Sequence, residues 1–225
     1  MKTLIVNAHP DFANPNHYSM KLLAAFKKIY ATNWPLEHLT TLNLYQEAIP
    51  RIKEGELQSI WQKQATGKQL TLAEEQIANQ SQALLNQFKQ HQRIVIATPL
   101  HNFNIPSALK DYLDNILIAR ETFRYLDTPM ENGKASQGLM VADHRMLLLY
   151  ASGSVYTQND FYRDLDFAPA YLKAMFQKVM GFSQVQLVRA EGTAYLEEAA
   201  ILSRADAQLQ EALTAFYDKA LIPNK

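Results

Sequence analysis

The sequence predicts an α/β fold of the doubly wound kind, a five-stranded parallel sheet with helices on both faces. Three observations predict it. Short apolar, β-rich runs alternate with helical stripes five times along the chain. Two of those runs, IVI at 94–96 and MLLLY at 146–150, are continuously apolar, as strands buried on both faces are. No repeat, linker or low-complexity break divides the 225 residues, so residues 1–225 read as one domain.

The first strand covers residues 3–6, and the loop after it, NAHPDFANPN at 7–16, is dense in Pro, Asn and Asp. A helix follows from about His17, with Leu22, Leu23, Phe26, Ile29 and Tyr30 on one face and Trp34-Pro35 ending it. The loop contains no glycine, so neither GxGxxG nor a Walker lysine is present. What remains for an anion is the helix amino terminus, with His17, Tyr18 and Ser19 as side-chain donors; a monophosphate suits that end. The same spacing equally describes a helix merely capped by Asn16 or Ser19.

Residues 37–45 alternate polar and apolar and predict a second, more exposed strand. Residues 46–70 lack a long period and read as a loop with a short helix, a type of insertion that often covers a site. Ile77, Leu84, Leu85 and Phe88 mark a clearer helix over 72–90. The third strand, from 94, ends at Thr98-Pro99; a polar-aromatic loop follows, and Leu109, Tyr112, Leu113, Ile116 and Leu117 mark a helix with Pro106 suited to its first turn. That loop sits at the carboxyl end of a buried strand, where open α/β sheets bind ligands.

The stretch at 120–138, RETFRYLDTPMENGKASQG, has no convincing period and reads as a functional surface loop. The fourth strand stops at Ala151, Ser152, Gly153 and Ser154, small residues that admit a flat ligand closely or simply make a turn. Tyr171, Leu172, Met175, Phe176, Val179 and Met180 mark the next helix, with Gly181 as its carboxyl cap. A fifth strand over 184–190 and a helix through Leu202, Ala205, Leu209, Leu213 and Phe216 complete the pattern.

Lys plus Arg and Asp plus Glu both number 22, so no basic field exists to hold nucleic acid or an acidic membrane. The absence of cysteine excludes disulfides, thiolate nucleophiles and thiolate-bound metals, which leaves any redox chemistry to an organic cofactor. No run approaches ~18 apolar residues, and the opening MKTLIVNAHPDF is interrupted too early for a signal-peptide core, so a cytoplasmic protein is expected. Asp143-His144 lacks a third ligand at useful spacing and reads as solvated loop, with no metal expected. Glu74-Glu75 and Glu197-Glu198 lie near helix starts, where carboxylates favour the dipole.

Five motifs in order, TPLHNFNIPSALKDYLDNI at 98–116, TFRY at 122–125, SGSVY at 152–156, MGF at 180–182 and AEGTAY at 190–195, resemble the FMN-dependent NADH:quinone oxidoreductases of the azoreductase family. The resemblance implies a flavodoxin-like sheet of order 2-1-3-4-5, with FMN across its carboxyl edge and hydride passing from NADH or NADPH to quinones and aromatic azo compounds in a ping-pong cycle. It assigns His9, His17, Tyr18 and Ser19 to the phosphate and ribityl chain. Backbone N–H groups of Leu100, His101, Asn102 and Phe103 fall to one ring edge, with the Asn102 amide as a ring contact. Ala151, Ser152, Gly153 and Ser154 fall to the pyrimidine end. His101 is either a proton donor or a packing residue, and Phe123, Tyr125 and Tyr156 wall the substrate pocket or belong to the core. A homodimer with flavin sites at its interface, near the TFRY segment, is also implied. The Asn-x-His-Pro opening is shared with FAD-containing quinone reductases of the DT-diaphorase group, which form one rival; a flavodoxin-like electron carrier without nicotinamide turnover forms another.

Overall fold

Alternate strand residues in the central sheet face opposite apolar layers, and this alternation builds the molecule. In the computed structural model, which describes residues 1–217, five strands form one parallel sheet: β1 (Thr3–Asn7), β2 (Leu39–Asn43), β3 (Arg93–Pro99), β6 (Arg145–Ser152) and β7 (Gln184–Glu191). Residues 218–225 of the expected single domain lie outside the described residues. The order is β2-β1-β3-β6-β7, which is 2-1-3-4-5 when sheet strands alone are counted. The two unpaired numbers belong to a small antiparallel hairpin, β4 (Phe123–Tyr125) with β5 (Ser136–Gly138). The stretch at 120–138 is therefore partly regular. Its strands are only three residues each, too short for a period to register.

Helices α1 (Tyr18–Asn33) and α6 (Glu198–Tyr217) cover one face, packing Leu22, Phe26, Tyr30, Leu209 and Phe216 against Ile5, Val95, Leu147 and Leu149. On the other face α3 (Leu72–Lys89), α4 (Ser107–Ile116), α5 (Phe167–Lys173) and the turn that continues α5 set Phe88, Tyr112, Leu113, Leu172 and Phe176 against Leu4, Val6, Ile94, Ile96, Met146 and Leu148. The short α2 (Leu57–Ala65) lies in the 46–70 insertion. No described helix is long and apolar enough to cross a membrane.

Local signals explain the ends. Thr71 and Glu74 form a reciprocal capping box at the start of α3, and Lys63 adds an ion pair to Glu74 at 2.7 Å. After α5 the helix relaxes into a π turn over Ala174–Val179 and ends at Gly181, whose φ of +88° an L side chain adopts only under strain. The hairpin meets this end directly: a Cβ on Gly138 would lie 2.4 Å from the Met180 carbonyl carbon, so only glycine fits.

The amino edge of the sheet corrects one expectation. Asp143-His144 is not solvated loop: Asp143 bridges two buried guanidiniums, Arg93 Nη2 at 2.8 Å and Arg145 Nε at 2.7 Å. Arg93 also donates to the Phe216 carbonyl and Arg145 to the Ala215 carbonyl, closing the end of α6 onto the sheet. Burial opposes ionisation of Asp143, but the two arginines outweigh it and hold the carboxyl below its usual range. His144 is buried against Phe182, and burial together with Arg93 keeps its imidazole below the ordinary value.

Candidate functional site

The chain leaves β1 toward β2 on one side and reaches β3 on the other, so the β1/β3 boundary is the topological switch point of the sheet. A cleft of about 340 Å³ opens there, at the carboxyl ends of β1, β3 and β6. His9, Asn16, His17, Tyr18 and Ser19 line one side, Pro99, Leu100 and His101 the floor, and Ala151, Ser152, Gly153 and Thr193 the other side. A wider hollow beside α2, lined by Ser59, Gln62, Lys63, Ala65, Thr66 and Lys68, stands apart from every strand end.

On the first side, the amino terminus of α1 is open. His17 is the N-cap residue and makes no side-chain cap, so neither Asn16 nor Ser19 closes the helix. The N–H groups of Tyr18 and Ser19 find no acceptor among the described residues, while those of Met20 and Lys21 turn back to the His17 carbonyl. Ser19 is 1% exposed, and its hydroxyl has no partner among the described residues although the residue lines the cleft. Orphaned buried hydroxyls are costly, and one placed beside free helix N–H groups is suited to an anion.

Two imidazoles complete that side. His9 and His17 stack with ring centroids 4.0 Å apart and 24° between planes. His9 Nδ1 accepts the Asp11 backbone N–H at 3.0 Å, which leaves the neutral ring's proton on Nε2. Burial, and then the neighbouring His17, push the His9 imidazole below its ordinary value against the pull of Asp11. His17 Nε2 meets Asp11 Oδ2 at 2.8 Å, and this contact with His17 is the main reason the Asp11 carboxyl lies below the usual range.

On the floor, residues 101–104 form a two-residue turn closed by His101 N to Asn104 O and Asn104 N to His101 O, both 2.9 Å. Its central residues, Asn102 and Phe103, have φ of +46° and +62°. Left-handed backbone is common for asparagine but strained for phenylalanine. The geometry also narrows the expected donor set. Leu100 N is spent on the Ala151 carbonyl and His101 N on Asn104, so of the four N–H groups at 100–103 only those of Asn102 and Phe103 lack an acceptor among the described residues.

The third wall is the turn after β6, strapped to the turn after β7. Thr193 donates through both N and Oγ1 to the Ser152 carbonyl at 3.2 Å, and Ala194 N donates to Gly153 O at 3.1 Å. The Tyr195 hydroxyl accepts Val155 N at 3.3 Å, and Glu191 Oε2 accepts Tyr156 N at 2.9 Å. Gly192, at φ +77°, lets this turn close: a Cβ there would lie 2.4 Å from Leu196.

Of the residues singled out by sequence, the cleft gathers His9, His17, Tyr18, Ser19, Leu100, His101, Ala151, Ser152 and Gly153. Asn102 and Phe103 form the turn beside it, and Ser154 lies outside the lining, its backbone carbonyl accepting the Ser152 hydroxyl and Gly192 N. Tyr156 is buried against Tyr162. Phe123 and Tyr125 stand elsewhere: their hairpin packs on Met180-Gly181 at the amino edge, the opposite end of the sheet. Thr193 and Pro99 carry no site role in the sequence reading, and Asn16 only that of a helix cap. Thr193 lies in the AEGTAY motif, which drew attention as a pattern with no chemistry attached.

A family model described as flavodoxin-like fold matches residues 1–213. The chain is 49% identical over 219 residues to FMN-dependent NADH:quinone oxidoreductase 1 of Lactiplantibacillus plantarum, covering 96% of this chain and 99% of that one. It is 44% identical to the FMN-dependent NADH:quinone oxidoreductase of Streptococcus agalactiae, over 97% of this chain and all of the other. Among solved structures, an FMN-dependent NADH-azoreductase from Bacillus anthracis in complex with FMN superposes with a TM-score of 0.89 at 40% identity, covering 96% and 99% of the two chains.

Proposed function

We propose, starting from the fact that the chain belongs to the flavodoxin-like fold family Flavodoxin_2, that it is an FMN-dependent oxidoreductase that takes hydride from NADH and reduces quinones and aromatic azo compounds by two electrons. The observation that carries this reading is the open amino terminus of α1, with the buried, unpartnered Ser19 hydroxyl beside it, at the switch point of the sheet. Near-full-length identity to FMN-dependent NADH:quinone oxidoreductases supports it.

Bound FMN supplies the two-electron hydride chemistry, which no side chain of this cysteine-free protein offers. Tyr18 N–H, Ser19 N–H and hydroxyl, and the two stacked imidazoles would hold the monophosphate. The free N–H groups of Asn102 and Phe103 would hold one polar ring edge, with the Asn102 amide nearby. The strapped turn bearing Ala151, Ser152 and Gly153 would hold the other. A fixed strap costs no reorganisation when charge develops against it. Because the binding residues share one cleft, nicotinamide and acceptor occupy it in turn, which makes the kinetics ping-pong. His101, exposed at its rim, is the candidate proton donor.

The protein works as a homodimer in the cytoplasm. Tyr125 is 72% exposed at the amino edge, so the β4/β5 hairpin walls a substrate pocket only when it reaches across from a second copy. The exposed rings of Phe103, Phe161 and Phe167 are apolar surface that such a copy would cover.

The visible spectrum of the purified protein, with chromatography of the pigment released by heat, tests the reading. Pigment that co-elutes with FMN, together with NADH oxidation driven by menadione and an azo dye, supports it. FAD would move the chain to the DT-diaphorase type. A colourless protein that takes up neither flavin would refute the enzymatic role.

A further inference from the structure

Among the described residues the cleft lining contains three histidines, His9, His17 and His101, and no lysine or arginine. Lys21, in the first turn of α1, is committed to Glu198 of α6 at 2.7 Å. A phosphate monoester carries nearly two negative charges above its second ionisation, near pH 6. Against this the helix end offers about half a positive charge. The nearby Asp11 carboxylate works in the opposite direction. The missing positive charge has to come from imidazole, the one side chain in the lining that gains and loses it near neutrality.

The two stacked rings divide the work. His9 accepts the Asp11 N–H at Nδ1, and burial pushes its imidazole below the ordinary value, so it contributes Nε2 as a donor. Rings 4.0 Å apart repel strongly if both are cationic, so the pair takes up one proton, not two. His17, half-exposed with Nε2 on Asp11, is the ring able to carry it. The charged and titratable groups that act on the pair are Asp11 from its own loop and His101 from the 101–104 turn.

We propose that His17, stacked on His9, is the cofactor-specificity residue of this cleft: capture of the flavin monophosphate is coupled to uptake of one proton by the pair, so that FMN is preferred over unphosphorylated riboflavin in a pH-dependent way. This rests on the FMN reading above. The Ser19 hydroxyl and the free N–H groups of α1 recognise phosphate oxygens at any pH, whereas the stack supplies charge only when protonated.

Titration of the flavin-stripped full-length protein with FMN and with riboflavin, followed by flavin fluorescence between pH 6.5 and 8.5, tests the coupling. The expected result is a Kd for FMN that weakens by about tenfold or more across that range, as one coupled proton requires, and a riboflavin Kd that moves by less than about twofold. Calorimetry in two buffers of different ionisation enthalpy should count close to one proton taken up with FMN near pH 7.5 and none with riboflavin. His17→Gln should flatten the FMN profile near its alkaline value. A flat wild-type profile without proton uptake, or an unchanged slope in His17→Gln, overturns the coupling and leaves an FMN enzyme. FMN that binds no better than riboflavin at every pH overturns the phosphate site itself, and the FMN reading with it.

Discussion

β3 begins and ends in opposite chemistry. At its amino end Arg93 is fully buried, with its guanidinium donating to Asp143 and to the Phe216 carbonyl, while Arg145 beside it does the same for Asp143 and Ala215. Just past its carboxyl end, Asn102 and Phe103 hold left-handed backbone and two N–H groups without acceptors among the described residues, and across the cleft Ser19 buries a hydroxyl that bonds to none of them. One edge uses its polar groups to close the fold. The other keeps donors unpaired and backbone strained, a cost that persists only where a ligand would satisfy it. Stability and binding are thus separable along one strand, and substitutions at its two ends should divide cleanly.

The largest effect is expected at the amino edge. Arg93→Met leaves Asp143 short of a buried partner and the Phe216 carbonyl without its donor, and should cost about 3 kcal/mol in urea denaturation. The flavin Kd of the folded fraction should stay within twofold; a large change in Kd with little loss of stability would break the division. Ser19→Ala works the other way. It should weaken FMN by about tenfold, the loss of one hydrogen bond to a charged group, with flavin-free stability unchanged or slightly raised because a buried orphan is gone. Unfolding in the absence of flavin, set beside the binding isotherm, distinguishes the two terms.

Phe103→Gly should raise flavin-free stability by about 1 kcal/mol, since the exposed ring packs little and its left-handed backbone is relieved. A loss of stability would mean the ring is anchored after all. The smallest contrast concerns pH. Lys63, then the Thr71 backbone N–H, depress the Glu74 carboxyl to about 2. Its stabilising effect is fully present above the unfolded value near 4.5 and is lost as pH falls from there toward 2. Glu74→Gln should therefore be less stable than the parent at pH 7 and converge on it near pH 2, with FMN affinity at pH 7 unaltered. A difference that survives at pH 2 would assign the effect to the cap geometry alone.

The fold was legible because burial has a period. Continuous apolar runs at 94–96 and 146–150 became the central strands, and stripes such as Leu109, Tyr112, Leu113 and Ile116 became buried helix faces. Much of the cleft was legible for a related reason: loops at strand ends have nowhere else to meet. Other features leave no pattern in one dimension. Nothing in the local sequence marks Arg93 and Arg145 as buried, because the carbonyls that receive them lie some 120 and 70 positions away. The hairpin at 123–138 has strands of only three residues, too short for an alternation to repeat, and Thr193 acts through a carbonyl 41 positions back. The donor count of the 101–104 turn depends on which N–H groups its own closure consumes, a matter of φ rather than of residue type.

The closure of α6 onto the amino edge has a consequence for how the chain is made. During synthesis β3 and β6 leave the ribosome long before Ala215 and Phe216, and until those two carbonyls arrive the buried guanidiniums at 93 and 145 each lack one acceptor. The amino edge of the sheet is therefore completed only once α6 has been made. A nascent chain halted before position 215 should be readily degraded by proteases, not left as a shortened but serviceable enzyme.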